Sequence, residues 1–152
     1  LLLVGSCYGA RLAIHLAAQE PGVGGFLLLH PFLGPARRGR GRRFLDLPAR
    51  ARARLRHRPP HGATRRLDPA LRGALATALG RTGGHAVVGD RDPSTASLLA
   101  ARRSLGDLGA RLSVDVIPGT SVRAWGTAAV QEELVRRVAA WTAGRLPAQL
   151  PG

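Results

Sequence analysis

The stretch that decides the fold is Leu1-Leu2-Leu3-Val4-Gly5-Ser6-Cys7-Tyr8-Gly9-Ala10-Arg11-Leu12-Ala13. Residues 1–4 are wholly apolar and stop at a glycine, which is typical of a central parallel strand covered on both faces. Residues 8–19 are rich in Ala and Leu and predict a buried helix that ends before Pro21-Gly22. Cys7 lies in the turn between the predicted strand and helix, within a Gly-x-Cys-x-Gly sequence.

This turn makes Cys7 a candidate nucleophile. A residue on a tight strand-to-helix turn has strained backbone geometry, and we expect side chains at positions 5 and 9 to collide with the neighbouring strand and helix. Cys7 would project from the carboxyl end of the strand, and the backbone N–H of Tyr8 would form one arm of an oxyanion hole. The alternative is that Cys7 is a small buried apolar residue.

The rest of the chain alternates between strand and helix patterns. Apolar runs predict strands at 26–29 and 86–88, and a period of two at 111–117 predicts a half-exposed edge strand. Apolar residues at helical spacing predict helices at 94–108 and 127–143. This alternation predicts an α/β fold with three layers, α/β/α, around a mostly parallel sheet.

Residues 34–80 interrupt the pattern with Arg, Gly and Pro. The part from 37 to 66 contains twelve arginines and one acidic residue. We expect a lid-like or disordered insertion, with a helix at 67–79 at its end. The insertion would interrupt a partial domain at 1–146, which a C-terminal tail at 147–152 follows.

Composition bounds the partners. The chain has 152 residues, enough for one domain, and a formal net charge of +14. All 23 cationic residues are arginine, and a GC-rich coding sequence produces this bias whatever the function. Only 4% of the residues in the chain are aromatic. Nucleic acid is therefore not expected as a partner, because the stacking platforms of such proteins are missing.

The lone cysteine excludes an internal disulfide and favours a cytoplasmic setting. The opening apolar run has four residues, so it predicts neither a signal peptide nor a membrane span. The sequence indicates no cofactor and no metal site, and it does not reveal the oligomeric state.

Residues 1–13 resemble the nucleophile elbow of the α/β-hydrolase family, Gly-x-Ser-x-Gly, in which Cys replaces Ser in some members such as dienelactone hydrolases. The resemblance covers nearly the whole chain except the insertion, as the C-terminal half of the family's domain. It implies a partial α/β-hydrolase fold and hydrolysis of an ester, thioester or related acyl bond. It also implies a second oxyanion donor from a loop upstream of residue 1.

The resemblance also implies an acid. Residues 89–93, Gly-Asp-Arg-Asp-Pro, look like the family's Gly-x-x-Asp-Pro loop, which places Asp92 at the acid position. This loop follows a strand, on the same side of the sheet as Cys7. The alternative is that Asp92 only caps the next helix.

The base departs from the family pattern. The family usually carries Pro-Gly-x-x-His after the last strand, whereas Val122 stands at that position here. A general base is needed to take the proton of the nucleophile. His30 is the best substitute, because it ends the strand that follows the nucleophile helix; the alternative is that it only bonds to backbone. The other histidines lie in the insertion or away from this edge: His15, His57, His61 and His85.

These residues predict a hydrolase of a small-molecule acyl substrate. The arginines of the insertion would bind an anionic substrate through bidentate contacts. One alternative is a non-catalytic, degenerate hydrolase of the same fold, which Val122 supports. The other is an anion-binding or nucleic-acid-binding protein, which the charge alone supports.

Overall fold

The computed structural model of the protein describes residues 1–33, 67–121 and 125–145. Its strands are β1 (Leu2–Ser6), β2 (Gly25–Leu29), β3 (Gly83–Gly89) and β4 (Leu112–Ile117). Its helices are α1 (Gly9–Gln19), α2 (Pro69–Arg81), α3 (Pro93–Ser104), α4 (Asp107–Ala110) and α5 (Ala128–Ala143). Strands and helices alternate as the sequence predicts.

The strands form one sheet in the order β1-β2-β3-β4, and every neighbouring pair is parallel. Ser6 is in register with Leu29, and Leu29 with Val87. Because the strands run in one direction, the loops that follow β1, β2 and β3 lie side by side at the carboxyl edge.

The two faces of the sheet bury separate apolar clusters, which gives the three predicted layers. Phe26 and Leu28 of β2 point into the larger cluster, which α1, α2 and α3 cover. Leu27, between them, points to the opposite face and packs with Val87 and the inner stripe of α5. This alternation follows from the period of two along a strand.

β1 differs from its prediction as a strand covered on both faces. It lies at the edge of the described sheet, and Val4 is 57% exposed. The physical reason is that β1 pairs with β2 alone in the described ranges, while the apolar stripe of α5 packs over β2 and β3. β4 is the other edge and is half-exposed, as its alternating sequence predicts.

The end of the predicted insertion is part of the packed core. α2 buries Leu71, Leu75 and Leu79 and packs against α1. Asp68 caps α2 by accepting from the Ala70 N–H, and it forms an ion pair of 3.0 Å with Arg11. The rest of the predicted insertion, 34–66, and the predicted tail at 147–152 lie outside the described residues.

The helix predicted over 94–108 is two helices, α3 and α4. The chain turns at Gly106, whose φ of 55° is a left-handed conformation that favours glycine. None of the helices in the described ranges combines the length and the apolar character that crossing a membrane requires.

Candidate active site

Cys7 occupies a strained turn between β1 and α1. Its φ is 51°, in the left-handed region that few non-glycine residues adopt. The Cys7 N–H donates to the Leu29 carbonyl (3.1 Å), and the Cys7 carbonyl accepts from the N–H groups of Ala10 (3.3 Å) and Phe32 (3.1 Å). The end of β2 and the start of α1 therefore hold the turn from both sides.

The two glycines of the elbow have different roles. A Cβ at Gly5 would lie 2.5 Å from the carbonyl oxygen of Gly9 and 2.7 Å from the Cα of Ala10, so only glycine fits. A Cβ at Gly9 would meet no described atom within 4 Å. The prediction that side chains would collide at both positions is therefore confirmed at position 5 and wrong at position 9, where α1 leaves open space.

Tyr8 follows Cys7 and is the N-cap residue of α1. The N–H groups at the start of a helix have no acceptor within the helix and carry partial positive charge. The Tyr8 ring is 59% exposed and packs against Phe32 at a centroid distance of 4.9 Å. Cys7 itself is half-buried.

Asp92 follows β3 and has two differently placed oxygens. Oδ1 accepts from the Ser94 N–H (3.0 Å) and the Ser94 hydroxyl (2.8 Å), which caps α3. Oδ2 is buried and has no hydrogen-bond partner among the described residues. A buried acceptor without a donor is costly, so Oδ2 requires an explanation beyond the helix cap.

The loops after β3 and β4 are joined by three close contacts. Asp90 accepts from the Thr120 N–H (3.1 Å), and the Arg91 N–H donates to the Thr120 carbonyl (3.0 Å). A Cβ at Gly89 would lie 2.1 Å from the same carbonyl oxygen, so the loops touch there. The backbone N–H of Gly119, followed by that of Thr120, lowers the pKa of Asp90 below its ordinary value. Val122, two residues further on, lies outside the described residues.

His30 ends β2 at the same edge. Its φ is 33°, and its backbone N–H donates to the Val87 carbonyl (2.9 Å). Its Nε2 lies 3.5 Å from the Ser6 hydroxyl, and its ring packs against Trp125 at 4.9 Å. The His30 ring thus contacts Ser6, the residue before Cys7, and the His30 backbone also forms the hydrogen bond that the alternative interpretation expects.

The four predicted site residues all follow the carboxyl ends of strands. Cys7 and Tyr8 follow β1, His30 follows β2 and Asp92 follows β3. The strand order places β2, and with it His30, between β1 and β3. No hydrogen bond among the described residues joins the His30 ring to Cys7 or to Asp92.

Two residues that contact the His30 ring were not predicted from the sequence. Ser6 and Trp125 contact its ring, but they are 24 and 95 positions away along the chain. Only the register of β1 with β2 and the path of the chain over the sheet bring them together. No group of three His, Cys, Asp or Glu side chains in the described parts of the chain could hold a metal ion.

Comparison with solved structures identifies the fold. A crystal structure from Klebsiella pneumoniae subsp. pneumoniae MGH 78578, named for dienelactone hydrolase, matches 94% of this chain with a TM-score of 0.61 and 15% identity, over 51% of its own length. A carboxylesterase structure from Nitrososphaera gargenis matches 95% with a TM-score of 0.58 and 12% identity, over 66% of its length. The monoacylglycerol lipase of Paleococcus ferrophilus matches 95% with a TM-score of 0.56 and 15% identity, over 68% of its length.

The chain therefore has a partial α/β-hydrolase fold, and it spans about half to two thirds of the length of these structures. Neither a protein-family model nor a curated protein sequence matches it. At this level of identity the similarity is one of fold, and a shared fold does not by itself establish a shared activity.

Proposed function

We propose that the chain carries the nucleophile and the acid of an α/β-hydrolase that cleaves a small-molecule ester, thioester or related acyl compound. The observation that carries the proposal is the φ of 51° at Cys7, which lies on a turn between a strand and a helix. This turn leaves space only for glycine at position 5. Strain of this kind persists where surrounding contacts maintain it, and it is concentrated at functional sites. A merely buried cysteine would need neither the turn nor its partial exposure.

In the proposed reaction, Cys7 Sγ attacks the carbonyl carbon of the substrate. The Tyr8 N–H at the positive end of α1 stabilises the oxyanion, and the tetrahedral intermediate collapses to an acyl–cysteine as the bond to the leaving group breaks. The thiol proton passes to the base and from the base to the leaving group. Water then attacks the acyl–cysteine, giving a carboxylic acid and the free thiol.

We assign the base to His30. Of the three histidines in the described ranges it is the one at the carboxyl edge, where its ring already contacts Ser6 beside the nucleophile. Asp92 is the proposed acid, because Oδ2 offers a buried oxygen that an imidazole N–H could bond as the ring turns. A cysteine needs less help than a serine, since part of it is thiolate near neutral pH.

The surroundings of Cys7 suggest which part of the substrate lies there. The exposed Tyr8–Phe32 pair offers an apolar surface for an acyl chain. The preference for an anionic substrate rests on the arginines of residues 37–66, which lie outside the described residues. A nucleophilic thiol has to stay reduced, which fits the proposed cytoplasmic setting.

The test is hydrolysis of p-nitrophenyl butyrate, with intact-protein mass spectrometry to detect the acyl adduct. We expect the folded chain to release about one equivalent of nitrophenolate rapidly and to carry a butyryl group on Cys7. Cys7→Ala should abolish both signals, whereas Ser6→Ala should keep the adduct. Acylation at least about tenfold faster in the folded chain than in urea distinguishes a site from an ordinary thiol.

The second candidate is a non-catalytic protein of the same fold, which Val122 supports by standing where the family has its histidine. Circular dichroism of an intact fold together with acylation of Cys7 no faster than in urea would establish it and exclude the hydrolase. The anion-binding alternative instead predicts a polyanion affinity that falls steeply with salt.

A further inference from the structure

A cleft lies over β3 and β4, on the half of the sheet away from Cys7. It has a volume of about 420 Å³ and lies between α5 and the strands β3 and β4. This volume is within the range of small-molecule sites. Its lining includes His85, Ser113, Asp115, Arg136, Arg137 and Trp141.

The floor of the cleft is a network of polar side chains across two strands. His85 is in register with Ser113, and its Nδ1 lies 2.7 Å from the Ser113 hydroxyl. The His85 Nε2 lies 3.4 Å from Asp115 Oδ2, an ion-pair distance without hydrogen-bond alignment. His85 is only 6% exposed, so a polar group is buried here at some cost. Nothing in the proposed hydrolase chemistry uses it.

The wall on α5 supplies positive charge. Glu133 accepts from Arg136 Nε (2.8 Å) and from Arg137 Nε (2.6 Å), and Arg137 Nη1 lies 3.2 Å from Asp115. Arg136 Nη1 and Arg137 Nη2 form no hydrogen bond with the described residues, and the Arg136 side chain is 68% exposed. The Trp141 Nε1 is buried and has no hydrogen-bond partner among the described residues. The wall therefore presents N–H donors that are not bonded to any described residue.

We propose that this cleft binds a small oxyanion, a carboxylate or a phosphate group, through Arg136 and Arg137 beside the edge of Trp141. A ligand of this class brings the acceptors that the wall lacks, and guanidinium groups match the geometry of both anions. Glu133 competes with the ligand, because its carboxylate occupies part of each guanidinium. The site is separate from the elbow, so it does not depend on the hydrolase proposal.

The test is a titration of the ¹⁵N-labelled chain followed through its two tryptophan indole N–H signals. Trp141→Phe assigns them, and sodium phosphate and sodium acetate are titrated separately at constant ionic strength set with sodium chloride. We expect a saturable shift of the Trp141 signal with at least one anion, while the Trp125 signal stays nearly fixed. The anion that saturates first identifies the group.

Two substitutions in the cleft and one outside it separate the site from a general charge effect. Arg136→Gln should weaken the binding about tenfold, and Glu133→Gln should tighten it a few-fold by freeing both guanidiniums. Arg103→Gln removes the same charge from exposed α3 and should leave the affinity unchanged. Shifts that stay linear for both anions, or equal weakening by Arg136→Gln and Arg103→Gln, would overturn the proposal.

Discussion

The carbonyl oxygen of Gly9 occupies the space where a side chain of Gly5 would begin, 2.5 Å from the position of its Cβ. This close approach brings the first turn of α1 down against the end of β1. The position of Cys7 in this turn therefore depends on the absence of a Cβ atom at residue 5.

Gly5→Ala should destabilise the fold by about 2 kcal/mol, because the backbone of Gly9 and Ala10 must move away from the new methyl group. Gly9→Ala is the matched control, since its Cβ meets no described atom. We expect it to be neutral or to stabilise by about 0.5 kcal/mol, as alanine favours a helix. Urea denaturation measures both, and equal effects at the two positions would contradict the tight packing of the elbow.

Asp92 should show separable effects on stability and on reaction. Asp92→Ala removes the acceptor for the Ser94 N–H and hydroxyl, so we expect a loss of about 1 kcal/mol in the free energy of unfolding. Asp92→Asn keeps an oxygen for the cap and should lose less. Both should slow acyl transfer at least about tenfold, because neither keeps the charge that orients a base. If Asp92→Asn retains full activity, Asp92 serves as the cap alone.

The lowered pKa of Asp90 predicts acid sensitivity of the loop contact. The folded carboxyl stays ionised below its ordinary value of 3.8, because it accepts the N–H groups of Gly119 and Thr120. Its contribution to stability is therefore complete above that value and is lost as the pH falls through the lower folded pKa. Asp90→Asn should lower stability at neutral pH and flatten this acid dependence. Glu132→Gln, an exposed acid on α5, is the control.

His85 predicts a pH dependence closer to neutrality. Burial, only partly offset by the charge of Asp115, lowers its pKa below the ordinary value of 6.5. The unfolded chain then takes up a proton at a higher pH than the folded chain, so stability is complete above that value and decreases as the pH falls below it. Urea midpoints at pH 7.5 and 5.5 measure the effect. His85→Gln should reduce the difference between them, whereas His15→Gln should retain it.

The local features of the fold could be predicted from the sequence. The apolar run of β2 and the alternation of β4 each reveal a strand, because these patterns depend only on which face of a short segment is buried. The Gly-x-Cys-x-Gly turn is local in the same sense, which is why Cys7 emerges with the predicted strand before it and helix after it.

The remaining features depend on contacts between distant residues. Leu71, Leu75 and Leu79 have the helical spacing that predicts this helix, but its packing against α1 depends on contacts with distant residues, which the spacing does not encode. The exposure of Val4 depends on which strand pairs with β1. The contact between His30 and Trp125 depends on where the chain crosses the sheet, which no periodicity encodes.

The shallow packing of α5 has a consequence for dynamics. No residue of this 16-residue helix is fully buried, whereas α1 buries four residues in only 11. Partial unfolding should therefore begin with the separation of α5 from the sheet. The amide protons of α5 should then exchange with deuterium before those of β2. This separation would expose Leu27 and Val87 to water. The turn that carries Cys7 would keep its conformation, because α1 holds it from the other face of the sheet.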